Sequence, residues 1–255
     1  MSTLLIDIGN TRAKAATVDL NGAAEVDFRL ERLPSLDSTD DNAAPRWEEW
    51  DLTETPGTVV VSNVAGTGTA DSLAAFADHN WGLRPSFIVP RKRHLGMETD
   101  YADPTRLGVD RWLAALAAWR RSDGAVAVVD FGTAVTLDVV TAEGRHKGGM
   151  IAPGVHLMRR ALTEQTADLK TQSHVQISGI AANTNDAISL GCESAQRGLL
   201  NEMRTRVKQV VDHDGLSWWV TGGGWTALDH DDGWTCRHEP DLVLLGLADV
   251  NRDRS

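Results

Sequence analysis

Cysteine is nearly absent: the chain holds two, Cys192 and Cys236, far apart in sequence. Two such thiols make no disulfide framework. Cys236 with nearby His238 falls short of the three or four ligands a metal site needs. Positive charge is scarce as well. Against 36 Asp and Glu stand 25 Lys and Arg, a net charge of -11. That balance argues against a general nucleic-acid or membrane-surface role, since no basic excess exists to neutralise phosphates. The one basic run, Arg91-Lys92-Arg93-His94, reads as a solvated loop, with contact to an anion as the alternative. No apolar run approaches the ~18 residues that span a bilayer. The opening MSTLLIDIGN has no basic stretch and meets an acid at Asp7, so we expect no signal peptide and a reducing, cytoplasmic setting. Two nucleotide signatures are also missing. No G-x-x-x-x-G-K-S/T occurs, which excludes a P-loop, and no G-x-G-x-x-G joins a strand to a helix, which disfavours a dinucleotide enzyme.

What is present suits a folded domain. The 255 residues are 42% hydrophobic and 24% charged, enough for one large domain or two smaller ones with real cores. Residues 125–129 form an apolar strand, followed by the turn Asp130-Phe131-Gly132-Thr133 and a second strand over 134–140. An acid at the end of a buried strand can hold a cation, the Gly admits a phosphate to the backbone, and the Thr offers a hydroxyl. Taken alone, the same pattern is ordinary hairpin chemistry. A second copy changes that weighting. Ile6-Asp7-Ile8-Gly9-Asn10 matches Val129 to Thr133, and the acids are offset by 130 − 7 = 123 residues, close to half the chain. A period that long indicates a duplicated domain, with Asp7 and Asp130 facing each other across one cleft.

The remaining elements alternate as a sheet with covering helices requires. Strands are expected over 3–6, 13–20, 24–30, 58–62, 86–89 and 218–221, with helices over 70–80, 156–162 and 242–250. Asn21-Gly22 is a two-residue hairpin turn. Residues 36–56 read as a surface segment with at most a short helix around Trp47 and Trp50. A helix beginning at Thr105 places Leu107, Trp112, Leu113, Leu116 and Trp119 at three- and four-residue spacing. Trp112 and Trp119, like Trp218 and Trp219, read as core rather than as ligand-stacking groups. Thr184 and Asn185 are cap candidates for a long helix reaching about Val211. Its small or apolar stripe, Ala187, Gly191, Ala195, Leu199, Met203, Val207 and Val211, suits a core or a helix–helix interface.

Two acid-Gly-polar hairpins and the corner Thr221-Gly222-Gly223-Gly224 resemble the superfamily of actin, acetate kinases and sugar kinases. Within it, the chain resembles type III pantothenate kinase. The resemblance rests on Asp7-x-Gly9-Asn10-Thr11-x-x-Lys14, Tyr101 with Gly108-Val109-Asp110-Arg111, Asp130-x-Gly132-Thr133-Ala134-x-Thr136, Gly148-Gly149-x-Ile151-x-Pro153-Gly154, Thr184 ahead of a long helix, and Pro240-Asp241-Leu242-Val243-Leu244-x-Gly246. It covers nearly the whole chain except residues 31–56.

The resemblance implies an α/β fold of two duplicated ribonuclease H-like domains, residues 1–121 and 122–255, around an ATP cleft. It implies ATP-dependent phosphorylation of pantothenate to 4'-phosphopantothenate, the first step of coenzyme A synthesis. Asp110 becomes the base that takes the substrate hydroxyl proton, and Tyr101, Gly108, Val109, Arg111 and Thr184 contact pantothenate. Asp7, Ile8, Gly9, Asn10, Thr11, Arg12, Ala13, Lys14 and Thr133 meet ATP, and Asp130 holds a monovalent cation, potassium or ammonium. Mg²⁺ bridges the phosphates, and Thr184 reaches the partner's site in a homodimer. Read only as residues, Asp110 is equally a helix-N-terminal acid, Lys14 a solvated strand residue and Arg111 a surface salt-bridge partner. Two alternatives stand beside this reading: a kinase of the same superfamily acting on another hydroxyl, such as a sugar, and a regulatory protein built on the fold.

Overall fold

The computed structural model of the chain describes residues 2–20, 26, 28–37, 44–163, 179–212, 215–224 and 234–254. The first sheet is built from β1 (Thr3–Ile8), β2 (Arg12–Val18), β3 (Glu31–Arg32), β4 (Leu36–Asp37), β5 (Thr58–Asn63) and β6 (Ser86–Phe87), with helix α1 (Thr67–Trp81) following β5. Its order is β3-β2-β1-β5-β6, with β4 also paired to β2. The second sheet takes β7 (Arg93–His94), β8 (Met97–Thr99), β9 (Val126–Phe131), β10 (Ala134–Val140), β11 (Arg145–Pro153), β12 (Ser217–Thr221) and β13 (Arg237–His238), in the order β13-β12-β9-β10-β11-β8-β7. The remaining helices are α2 (Val109–Arg120), α3 (Val155–Thr163), α4 (Thr184–Val210) and α5 (Leu242–Arg252).

The two sheets share one plan. In each, a central antiparallel hairpin (β1-β2, β9-β10) carries a third antiparallel strand on one side (β3, β11). On the other side lie two parallel strands, β5 and β6 in one sheet, β12 and β13 in the other. This is the ribonuclease H-like order, present twice. The second copy is extended by β8 and β7, which come from the first half of the chain.

Apolar continuity explains why β1 and β9 are central: TLLIDI and VAVVDF are covered on both faces, the signature of buried parallel pairing. Alternation then sorts their side chains. Leu4, Ile6 and Ile8 pack outward with Leu73 of α1, while Leu5 packs inward with α2 and α5. In β9, Ala127 and Val129 pack outward with Met203 and Val207 of α4, while Val126 and Val128 face inward to the same α2–α5 layer. By the two-residue period, Asp7 follows Leu5 and Asp130 follows Val128. Both acids therefore face the shared middle layer.

That layer is tight. A Cβ on Gly246 of α5 would come within 2.4 Å of the Leu113 carbonyl oxygen of α2, so the helices cross at backbone contact. Arg121 donates to Asp249 across the crossing at 2.7 Å. Several expectations are corrected. Trp47 and Trp50 are buried against the first sheet, their indole N–H groups donating to Ser72 Oγ at 3.0 Å and to the Pro34 carbonyl at 2.8 Å. The strand expected over 24–30 falls partly outside the described residues; pairing to β2 occurs at β3 instead. The basic run is not wholly a loop, because Arg93–His94 pairs with β8 and His94 is buried. Asn183, not Thr184 or Asn185, caps α4, accepting from the Asp186 amide at 2.9 Å.

Candidate active site

The two hairpin turns meet at the mouth of the middle layer. In the first, Gly9 N–H donates to the Arg12 carbonyl at 3.0 Å, and in the second Gly132 N–H donates to the Ala134 carbonyl at 3.0 Å. Their tips touch: Thr11 Oγ1 lies 2.7 Å from Thr133 Oγ1. Close backbone approach closes the second turn on two sides. Gly154 N–H donates to the Thr133 carbonyl at 2.9 Å, and a Cβ there would meet Gly132 O at 2.7 Å. Gly222, at φ +86°, abuts Asp130 so closely that a Cβ would stand 2.3 Å from its Oδ1. The glycine corner thus walls the acid, and Gly224 N–H donates to the Phe131 carbonyl at 2.9 Å.

Three carboxylates converge here, and Lys14 faces two of them, Asp7 and Asp130. Burial pushes the Asp7 carboxyl up to about 7, reinforced by the nearby Asp110 and opposed by Lys14. Burial likewise raises Asp130 to about 6, with Lys14 lowering it and Asp110 and Asp138 raising it. Asp110 is also raised, first by burial. An acid that merely complemented a helix dipole would be shifted down, so burial dominates at Asp110 although its Oδ1 accepts from the Arg111 amide at 2.8 Å. Lys14 Nζ donates to the Pro240 carbonyl at 3.3 Å, tying the first hairpin to the entry of α5. Asp7 and the Ser62 hydroxyl are buried side by side in register, and Ser62 lowers the Asp7 carboxyl against the larger effect of burial.

The other sequence-derived residues divide by orientation. Ile8 and Ala13 belong to the outward core of the first sheet and Val109 to the middle core, so only their backbone is available to a ligand. Arg12 pairs with Asp37 at 2.8 Å. Gly108 precedes α2, where a Cβ would lie 2.7 Å from Asp110 Oδ1. Arg111 is buried, not a surface ion pair: Nε and Nη2 grip Asp138 at 2.8 and 2.7 Å, while Nη1 lies 3.4 Å from the Tyr101 hydroxyl. Its two-pronged edge therefore faces protein, leaving the Nη1 edge beside Tyr101. Thr184 lines a different hollow, an apolar cavity of about 650 Å³ between α3 and α4, with Leu157, Leu162, Ala187, Ile188 and Gly191. Asp138, His146, Thr99 and Ser62 escaped the sequence reading. Asp138 had a signal: a carboxylate inside the apolar strand Ala134–Val140 must be paired.

Residues 3–206 match the family model for type III pantothenate kinase. The chain belongs to the type III pantothenate kinase family. It is 34% identical to the type III pantothenate kinase of Nitrosococcus oceani, over 99% of this chain and 94% of the relative. The enzyme of Aromatoleum aromaticum is 35% identical over 98% of both chains. Among solved structures, one described as a Baf family transcriptional activator from Campylobacter jejuni aligns with a TM-score of 0.55 and 20% identity over 98% of each chain, a likeness of fold. Like its family, this chain is a kinase that uses ATP to phosphorylate pantothenate, the first step of coenzyme A biosynthesis. Among the described residues no helix is long and apolar enough to cross a membrane.

Proposed function

We propose that residues 1–121 and 122–255 act as two jaws closing on ATP, with pantothenate held beside Asp110. The observation that carries this reading is the convergence of Asp7, Asp110 and Asp130, with Lys14 beside Asp7 and Asp130, where the two turns touch through Thr11 and Thr133. Amides of residues 7–13, the Lys14 ammonium and Thr133 receive the phosphates. Asp110 accepts the proton of the pantothenate hydroxyl as its oxygen bonds to the γ-phosphorus, and the bond from that phosphorus to the β–γ bridging oxygen breaks to release ADP. Burial keeps Asp110 more basic than an exposed carboxylate, which suits that task. Tyr101 and the Nη1 edge of Arg111 take the pantothenate carboxylate, with Gly108 and Val109 framing it by backbone.

Buried carboxylates that raise one another, Asp7 with Asp110 and Asp130, suit cations. No group of three or more His, Cys, Asp or Glu among the described residues could hold a metal by itself. Mg²⁺ keeps several waters and is bound through one or two carboxylates together with substrate phosphates, which fits such a site. Asp7 would hold the magnesium side and Asp130 a potassium or ammonium ion, and bound cations would supply charge neutralisation for the transferring phosphoryl group.

The functional unit we infer is a homodimer in the cytoplasm. The hollow between α3 and α4, with exposed Leu162 on its lining, offers the apolar face for it, and Thr184 at its edge would reach the partner's pantothenate. The test is a coupled ADP-release assay with ATP, pantothenate and potassium. Asp110→Asn is expected to lose at least about 100-fold in kcat, and omission of potassium or ammonium to abolish most turnover. Turnover by Asp110→Asn at the wild-type rate would refute the role of Asp110.

A further inference from the structure

Behind Tyr101 and Arg111, three buried groups that no substrate needs to touch, Thr99, His146 and Asp138, close a ring of hydrogen bonds through them. The Tyr101 amide donates to Thr99 Oγ1 at 3.2 Å. Thr99 Oγ1 and His146 Nδ1 lie 2.9 Å apart, and His146 Nε2 lies 2.9 Å from Asp138 Oδ1. Asp138 then receives Nε and Nη2 of Arg111, and Arg111 Nη1 returns to the Tyr101 hydroxyl at 3.4 Å. The His146 and Tyr101 rings stack at 6.1 Å. Thr99 and His146 are 0% exposed, Asp138 2% and Arg111 8%, so bulk water offers these groups little alternative partnership.

Donor logic gives the ring a direction. The Asp138 carboxylate only accepts, so His146 Nε2 carries the proton that faces it, and Nδ1 of the neutral imidazole accepts the Thr99 hydroxyl proton. Asp138 Oδ1 accepts from both His146 and Arg111, so neither can rotate without breaking a buried, charge-assisted bond. Lys92 fixes the other side, its Nζ donating to the carbonyls of Thr99 at 2.6 Å and Tyr101 at 3.2 Å.

We propose that Thr99, His146 and Asp138 are positioning residues for pantothenate: their ring holds the Tyr101 hydroxyl and the Arg111 Nη1 edge together as one carboxylate clamp. This rests on the reading that Tyr101 and Arg111 receive the substrate carboxylate. The ring spans three strands of the second sheet, β8, β10 and β11, and the start of α2, so it converts sheet geometry into spacing between the two donors. A purely structural ring would support stability alone. A positioning ring sets the affinity for one substrate and its discrimination against a form lacking the carboxylate.

The experiment compares wild type, Thr99→Val, Thr99→Ser, His146→Gln and Tyr101→Phe. The readouts are KM for pantothenate, KM for ATP, and the preference for pantothenate over its alcohol analogue, in which a hydroxymethyl group replaces the carboxylate. Thr99→Val keeps the shape but removes the hydroxyl. It is expected to raise the pantothenate KM about tenfold, leave the ATP KM within about twofold, and shrink the preference for the carboxylate by a similar factor. Thr99→Ser, which keeps the hydroxyl, is expected to restore both, and His146→Gln to behave like Thr99→Val. The inference is overturned if Thr99→Val and His146→Gln change only the melting temperature while Tyr101→Phe loses the carboxylate preference. If the wild type itself does not prefer the carboxylate, the clamp assignment fails and the inference fails with it.

Discussion

At the scale of single residues, the site is organised by buried acids held in an unfavourable state. Asp7 normally ionises near 3.8 but stands at about 7 in the fold, chiefly through burial. Between those two pH values the folded chain holds a proton that the unfolded chain has released, so this group's contribution to stability falls as pH rises through the window. Asp130, raised to about 6, acts in the same direction over a narrower range. Asp7→Asn removes the ionisation and nearly preserves the shape. We expect its melting temperature to gain on the wild type as pH rises from 5 to 8, by about 1–3 kcal/mol of unfolding free energy at the upper end. A gap that does not change with pH would contradict the shifted Asp7. For Arg111, expected as a pantothenate contact with a surface ion pair as the alternative, the surface alternative fails: the side chain is buried and paired with Asp138, 27 positions later. The apolar strand Ala134–Val140 shows that Asp138 needs a partner. Neither segment identifies Arg111 as that partner, because the pair exists only once α2 lies across β10.

Elements carry the argument from residues to cleft. The hairpins were legible because each confines its chemistry to a few consecutive residues, Asp7 to Thr11 and Asp130 to Thr133, at the end of a continuous apolar strand. Residues 47–50 were legible only in part. The short helix around Trp47 is present as a 3-10 turn over Trp47–Glu49. The burial of both tryptophans, whose N–H groups Ser72 and Pro34 receive, has no periodic signal in the sequence. The start of α4 was read within one residue, because Asn and Thr compete as caps on equal chemistry. Between the jaws, the α2–α5 crossing is the element-scale constraint. Gly246→Ala would press a methyl carbon onto the Leu113 backbone, which rigid helices relieve only by moving apart. We expect a loss of about 2 kcal/mol in urea unfolding. Because Asp110 lies in the first turn of α2, kcat should fall with it; unchanged stability would mean that the crossing yields.

For the whole molecule, two sheets of one strand order face a common helical layer, and duplication puts both acids on its inner side. The order was legible as a repeat. The traffic between halves was not: β7 and β8 leave the first half to extend the second sheet, while α5 returns from the chain's end to pack on β1 and β5. The proposed dimer adds a prediction of complementation. Asp110→Asn and Thr184→Ala would each be nearly inactive alone, yet mixing and re-annealing should restore up to about a quarter of wild-type activity per site, since half of the re-annealed dimers are mixed and each regains one intact site. No recovery from demonstrably mixed dimers would place Thr184 in its own subunit's site. The central claim, that this cleft moves phosphate from ATP to pantothenate, is tested most directly by phosphorus NMR of the reaction. The account predicts a new phosphomonoester signal on pantothenate, matched mole for mole by ADP. Release of inorganic phosphate with no phosphorylated pantothenate would contradict it.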